Sequence, residues 1–240
     1  MIAARQVSPE LLDFLPAGDR DAIRSRQDIQ RCNALMLQAA IMSRLLCRLG
    51  GDAPRTMADI GAGDGTFMLG VARRMAKRWP GVSLALVERQ NIIADATLAG
   101  FARLGWRAEH VSADVFDFFA GRQRYDIVTA NLFLHHFPED ELSDLIGLIA
   151  AHCDALVACE PRRGPLARFG TRLLWAIGCN HVTRHDGAAS VRAGFRGREL
   201  SALWPGNGQW ERSEQWAIPF THTFAARRRR PAPGALSGYA

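Results

Sequence analysis

Three glycines at alternate positions, Gly61, Gly63 and Gly65, separate an apolar stretch ending at Ile60 from a helix-forming one beginning at Thr66. The full run reads Ala58-Asp59-Ile60-Gly61-Ala62-Gly63-Asp64-Gly65-Thr66. Without Cβ atoms such a loop turns tightly and brings bare backbone against a ligand. Strand, glycine loop and helix in that order begin a parallel α/β sheet, whose ligand crevice lies at the carboxyl ends of the strands. The spacing is G-x-G-x-G, because Thr66 stands where the dinucleotide fingerprint has its third glycine. Asp59 and Asp64 flank the turn, and carboxylates repel phosphate. The loop therefore suits a ligand that carries positive charge.

With its leading acid, Asp-x-Gly-x-Gly-x-Gly after a first strand resembles the first motif of class I S-adenosylmethionine-dependent methyltransferases. That cofactor has an α-ammonium and a sulfonium and no phosphate. An NAD or FAD site and a purely structural glycine turn are the alternatives. The resemblance covers about residues 50–227. It implies an α/β fold: a seven-stranded, mostly parallel Rossmann-like sheet with helices on both faces and an antiparallel last strand.

The resemblance also implies site residues. Asp59 would reach the cofactor's ammonium, often through water, and Gly61 and Gly63 would line its methionine part. Asp64 either shares that role or caps the following helix. Glu88 follows the apolar run Leu84-Ala85-Leu86-Val87, roughly 25 residues beyond the glycines, where a carboxylate accepts from both ribose hydroxyls. Arg89 would close over the adenosine. Asp114 would accept from the adenine amino group, with Ala113 or Val115 packed on the ring. Asn131 would touch the methionine moiety. Each acid also has a plainer reading as a turn residue or a solvated strand end.

Asn131-Leu132-Phe133-Leu134-His135-His136-Phe137 follows the fourth strand pattern. His135 and His136 are candidate bases, because a neutral imidazole takes a proton near pH 7 whereas a phenol of pKa ~10 keeps its own. Packing is the other role open to each. His185, beside Asp186, is a rival catalytic candidate, or half of a local turn. No pattern points to a metal site.

Strand and helix patterns alternate from residue 55 to 160, which implies β-α-β crossovers in one sheet. Strands are expected at Thr56–Ile60, Val82–Val87, Arg107–Ser112, Tyr125–Ala130 and Ala155–Cys159, then at Trp210–Ile218 and Thr221–Arg227. Helices are expected at Thr66–Trp79, Asn91–Leu104, Glu139–His152 and Gly197–Trp204. Residues 1–50 form a helical extension outside the sheet fold, with one helix over Asp21–Leu49 ended by Gly50-Gly51. The domain proper is 51–227, interrupted by an insertion at 162–195. There Leu166, Phe169, Leu173, Leu174 and Ile177 make one apolar helical face opposite Arg168 and Arg172. That face lines a substrate channel as a lid, closes the core, or meets a membrane surface.

Charge adds little. The formal net charge is +6, but four of the 30 basic residues are the run Arg227–Arg230; the remaining 26 face 24 acids. Residues 228–240 are expected to be a disordered basic tail. No apolar run reaches the ~18 residues that span a bilayer, and no signal peptide is visible. The five cysteines include no C-x-x-C pair, and are expected to be buried free thiols in a reducing cytoplasm.

A weaker resemblance runs through His181-Val182-Thr183-Arg184-His185-Asp186 and Ser190 to Leu200, which is similar to bacterial methyltransferases that accompany type III polyketide synthases. It implies O-methylation of a phenolic, polyketide-derived hydroxyl on an aromatic or lipid-like small molecule. A quinone-like acceptor methylated at carbon, a nucleic-acid acceptor and a non-catalytic cofactor-binding role are the alternatives. A nucleic-acid partner is not expected. Oligomeric state is not legible.

Overall fold

The computed structural model describes residues 4–121, 123–206 and 208–229. Seven strands share one sheet: β1 (Thr56–Ile60), β2 (Ser83–Val87), β3 (Arg107–Val111), β4 (Tyr125–Asn131), β5 (Cys153–Pro161), β6 (Trp210–Ala217) and β7 (Thr221–Arg228). Their order is β3-β2-β1-β4-β5-β7-β6. The first five are parallel, and β7 runs antiparallel to both β5 and β6. The expected sheet is the one observed. β1 and β2 are buried on both faces, which is why they read as unbroken apolar runs.

The helices are α1 (Arg20–Leu35), α2 (Gln38–Leu49), α3 (Thr66–Met75), α4 (Asp95–Arg103), α5 (Val115–Ala120), α6 (Glu139–His152), α7 (Pro165–Arg172), α8 (His181–Ala193) and α9 (Glu199–Leu203). Met57, Leu84, Leu86, Val157 and Cys159 face a core shared with α2, α3 and α4. Ala58, Ile60, Val87, Val128 and Leu156 face the opposite core, shared with α5, α6 and α9.

Two expectations are corrected here. The helix over Asp21–Leu49 is two helices, broken where Leu37 takes a left-handed conformation with φ 56°. Apolar spacing continues across the break, so the pattern hides it. The break lets α2 lay Met42 and Leu46, both fully buried, on the sheet. Two such side chains contribute roughly 1.5–3 kcal/mol each. α2 therefore belongs to the sheet layers, and only the chain before it is an extension. The second correction concerns the basic tail. Arg227 ends the expected strand and its guanidinium donates to the Leu49 carbonyl, but Arg228 also lies in β7 and stacks 4.6 Å over the Trp210 ring. The Arg229 N–H donates to the Gln209 carbonyl at 2.7 Å, and residues 230–240 of the expected tail lie outside the described residues.

All five cysteines are free thiols. Cys153, Cys159 and Cys179 are buried, but Cys47 is exposed at the edge of α2, against expectation.

Candidate active site

β1, β2 and β4 end in register, with Ile60 beside Val87 and Ala130. The residues that follow, Gly61, Glu88 and Asn131, emerge together at the carboxyl edge of the sheet, where the strand order reverses between β1 and β4. Gly61 has φ 64°, and a Cβ there would overlap the Phe133 ring. Gly63 has φ 57°, and its N–H donates to Oε2 of Glu88 at 3.1 Å. Oε1 of Glu88 accepts from the Gln90 N–H at 3.0 Å. The glycine loop and the end of β2 are thus locked to each other through one carboxylate.

Asp59 is buried at the end of β1 and accepts the Thr129 hydroxyl at 2.7 Å. Burial outweighs that hydrogen bond and pushes its carboxyl up to about 7. Asp64 has little capacity left. Its Oδ1 accepts from the Thr66 N–H at 3.0 Å and from the Thr66 hydroxyl at 2.6 Å, and its other oxygen accepts from Gln30 of α1. Asp64 also lies on the cavity wall. Asp114 caps α5 through the Phe116 N–H at 2.9 Å, with Val115 buried beside it. Asn131 Oδ1 is buried with no hydrogen-bond partner among the described residues.

These residues surround one cavity of ≈ 900 Å³. Asp59, Gly61, Gly63, Asp64, Glu88, Arg89, Asp114, Val115 and Asn131 line it, and so do His135 and His136. The volume lies near the top of the range for small-molecule sites, about 300–1,000 Å³. The amino-terminal segment closes one side. Arg5 latches it by donating to the carbonyls of His135 at 3.0 Å, Phe137 at 2.7 Å and Ala193 at 2.8 Å.

The histidine pair sits in a 3₁₀ turn over Leu134–His136. Glu160, at the end of β5 and fully buried, accepts from the backbone N–H groups of Phe133 and Leu134 at 3.1 and 2.9 Å. Its Oε2 lies 2.8 Å from Nδ1 of His135, while Nε2 lies 3.4 Å from Oε1 of Glu10. Burial alone would lower the His135 pKa, but hydrogen bonds to Glu10 and Glu160 and their charges outweigh it and raise it to about 9. His135 is therefore an imidazolium at neutral pH, with both ring nitrogens donating. The expected base thus faces two carboxylates, one at each ring nitrogen. His136 is half-buried on the cavity wall, its Nε2 3.9 Å from Glu10 and its Nδ1 3.7 Å from Asp13.

His185 is also corrected. It does lie beside Asp186, with Nδ1 2.9 Å from Oδ1, but it is exposed on α8 and outside the cavity lining. The two oxygens of Asp186 accept from the Leu11 and Leu12 N–H groups at 2.7 and 3.0 Å. That carboxylate anchors the amino-terminal segment.

No protein-family model and no curated protein matches the chain. Solved structures do match. The plantazolicin methyltransferase BpumL in complex with SAH aligns at 11% identity over 88% of this chain and 92% of that one, with a TM-score of 0.61. An O-methyltransferase family protein from Burkholderia thailandensis aligns at 16% identity over 88% of this chain and 61% of that one, with a TM-score of 0.56. Magnesium protoporphyrin IX methyltransferase (ChlM) from Synechocystis PCC 6803, with bound SAH, aligns at 12% identity over 91% of each chain, with a TM-score of 0.51. The chain has the methyltransferase fold.

On that methyltransferase fold, polar groups not foreseen from sequence line or support the cavity. Glu10 pairs with the histidines. Glu160 holds their turn, and its place directly after the apolar run of β5 was a legible signal, the same one that marks Glu88. Ser8, Asn33 and Gln38 each line the cavity with a buried oxygen that has no hydrogen-bond partner among the described residues. Though no metal site was expected, Glu10, His135 and His136 bring ligand atoms within 4.8 Å of one another. The His135 imidazolium between Glu10 and Glu160 already balances much of the charge there.

Proposed function

We propose that the protein is an S-adenosylmethionine-dependent methyltransferase of a small molecule, and that it methylates a phenolic or polyketide-derived hydroxyl. The observation that carries the cofactor reading is the set of carboxylates at three strand ends, Asp59, Glu88 and Asp114, around one cavity with a glycine cradle. A phosphate-bearing dinucleotide meets repulsion there, and a cationic ligand meets countercharge. The orphaned Asn131 Oδ1 is a ready acceptor for such a ligand's ammonium. Two of the neighbouring structures contain SAH, the product left when this cofactor has given up its methyl group.

When bound, S-adenosylmethionine supplies a methyl group on a positively charged sulfur. The chain's own residues do the rest by holding and aligning. Asp59 and Asn131 would face the ammonium, Glu88 would accept from the ribose hydroxyls, and Asp114 would accept from the adenine amine. Val115 would pack on the ring. Fixing two reactants in line supplies several kcal/mol of the barrier. His136 is the base that takes the acceptor's hydroxyl proton, and Glu10 and Asp13 stabilise the imidazolium it becomes. His135 keeps its proton and fixes Glu10 in place.

The test is transfer from radiolabelled S-adenosylmethionine to alkylresorcinols, catechols, quinols and bulk RNA. Label on a phenolic hydroxyl is expected. Label at a quinol ring carbon overturns the O-methyl reading alone. Label only in RNA overturns the small-molecule reading.

A further inference from the structure

The mouth of the cavity carries an apolar patch that no described residue covers. Leu166 and Phe169 of α7 are exposed, as are Leu173, Trp175 and Ile177 in the turn after it. Leu35 and Leu37 stand exposed at the α1–α2 break; Trp175 and Leu35 are each 66% accessible. Leu35, Leu173 and Ile177 also line the cavity, so the patch and the cavity interior are one continuous surface. Core packing does not account for it. α7 seats itself through Ala167, its one buried residue, and through Gly170, where a Cβ would stand 2.9 Å from the Phe220 ring. Single exposed apolar residues are ordinary, but a contiguous group of this size marks an interaction site.

Charge identifies the partner. Between Glu160 and Asp186 the chain has no acidic residue and five arginines. Arg163 is paired with Glu199, but Arg168, Arg172 and Arg184 are exposed. Arg168 and Arg172 immediately precede Phe169 and Leu173 in the chain. On the facing helix, Arg24 reaches the Gly178 carbonyl at 3.3 Å, and the nearby Asp28 is buried between Arg24 and Arg31.

We propose that this patch docks the protein on the surface of an anionic lipid bilayer. α7 lies in the interface with Phe169 and Trp175 among the acyl chains and Arg168 and Arg172 at the lipid phosphates. It lies on the membrane and does not cross it: α7 has eight residues, and no helix among the described residues is long and apolar enough to span. A lipid-like acceptor then passes from the bilayer into the cavity without entering water. That last step rests on the proposed acceptor class; the docking does not. A second copy of the chain is the weaker occupant, because a two-fold contact would press each arginine flank toward its own copy.

The experiment is co-sedimentation of the full chain with phosphatidylcholine vesicles, with and without phosphatidylglycerol. Binding to the anionic vesicles and a blue shift of tryptophan emission are expected, with the shift lost in Trp175→Phe. Arg168→Ala/Arg172→Ala weakens binding roughly tenfold or more, and Phe169→Glu/Trp175→Glu abolishes it. None of these four residues lines the cavity, so S-adenosylmethionine binding should survive in both variants and report folding. Failure of wild type to bind anionic vesicles overturns the docking, and methyl transfer to a short-chain soluble phenol in the same preparation shows that the enzyme reading stands. A concentration-dependent dimer abolished by Phe169→Glu/Trp175→Glu, without vesicle binding, also overturns it and assigns the patch to self-association.

Discussion

Nδ1 of His135 lies 2.8 Å from Oε2 of Glu160, two buried side chains 25 residues apart in sequence. With Glu10 on the other ring nitrogen, the contact keeps His135 protonated up to about pH 9. A histidine whose folded pKa exceeds its ordinary value of 6.5 adds stability that is complete below that value and lost as pH rises through about 9. Melting temperature should therefore fall across that window in wild type. The fall should be smaller in His135→Gln, as thermal melts at pH 6 and pH 9 would reveal.

The proton acceptor should then be His136. His136→Ala is expected to lower kcat by about 10²–10⁴, with cofactor affinity unchanged. His135→Gln should lower kcat less, because it acts by positioning Glu10. Steady-state kinetics beside cofactor titrations would separate the two. Equal losses in both would remove the assignment.

The glycine loop gives a contrast. Gly61→Ala forces a Cβ into the Phe133 ring at φ 64° and should destabilise by several kcal/mol. Gly63→Ala has open space around it at φ 57°, and should cost only about 1–2 kcal/mol. Yet Gly63 lines the cavity, so that variant should fold and lose cofactor affinity. Denaturant melts and binding isotherms on the two proteins check both halves.

Chelation tests the cluster of Glu10, His135 and His136. With Glu10 and Glu160 both paired to the His135 ring, methyl transfer should be unaffected by extended dialysis against EDTA. Loss of activity restored by a single divalent metal would make the cluster a metal centre.

Much of the sheet edge was legible because its signals are local. Asp59, Gly61, Gly63 and Glu88 announce themselves within a few residues of a strand end, and each proves to line the cavity. The histidine environment was not legible, because it is built over long separations: Glu10 stands 125 residues from His135. Adjacency misled in the opposite sense at His185, since Asp186 is committed to backbone groups 175 residues away. The break at Leu37 was hidden by apolar spacing that continues into α2. The short helix α5 gave no period to read. Its cap, Asp114, was expected to be free for a ligand, yet it also accepts from Phe116.

The most direct test is calorimetric titration of S-adenosylmethionine at pH 7 in two buffers of different ionisation enthalpy. Asp59 is held up to about 7 by burial, so it is half protonated before an ammonium arrives. One site should fill with release of about half a proton. That release should vanish in Asp59→Asn, and Glu88→Ala should weaken binding by roughly tenfold to a hundredfold. Absence of binding by S-adenosylmethionine and SAH, with NAD filling the same cavity, would contradict the account.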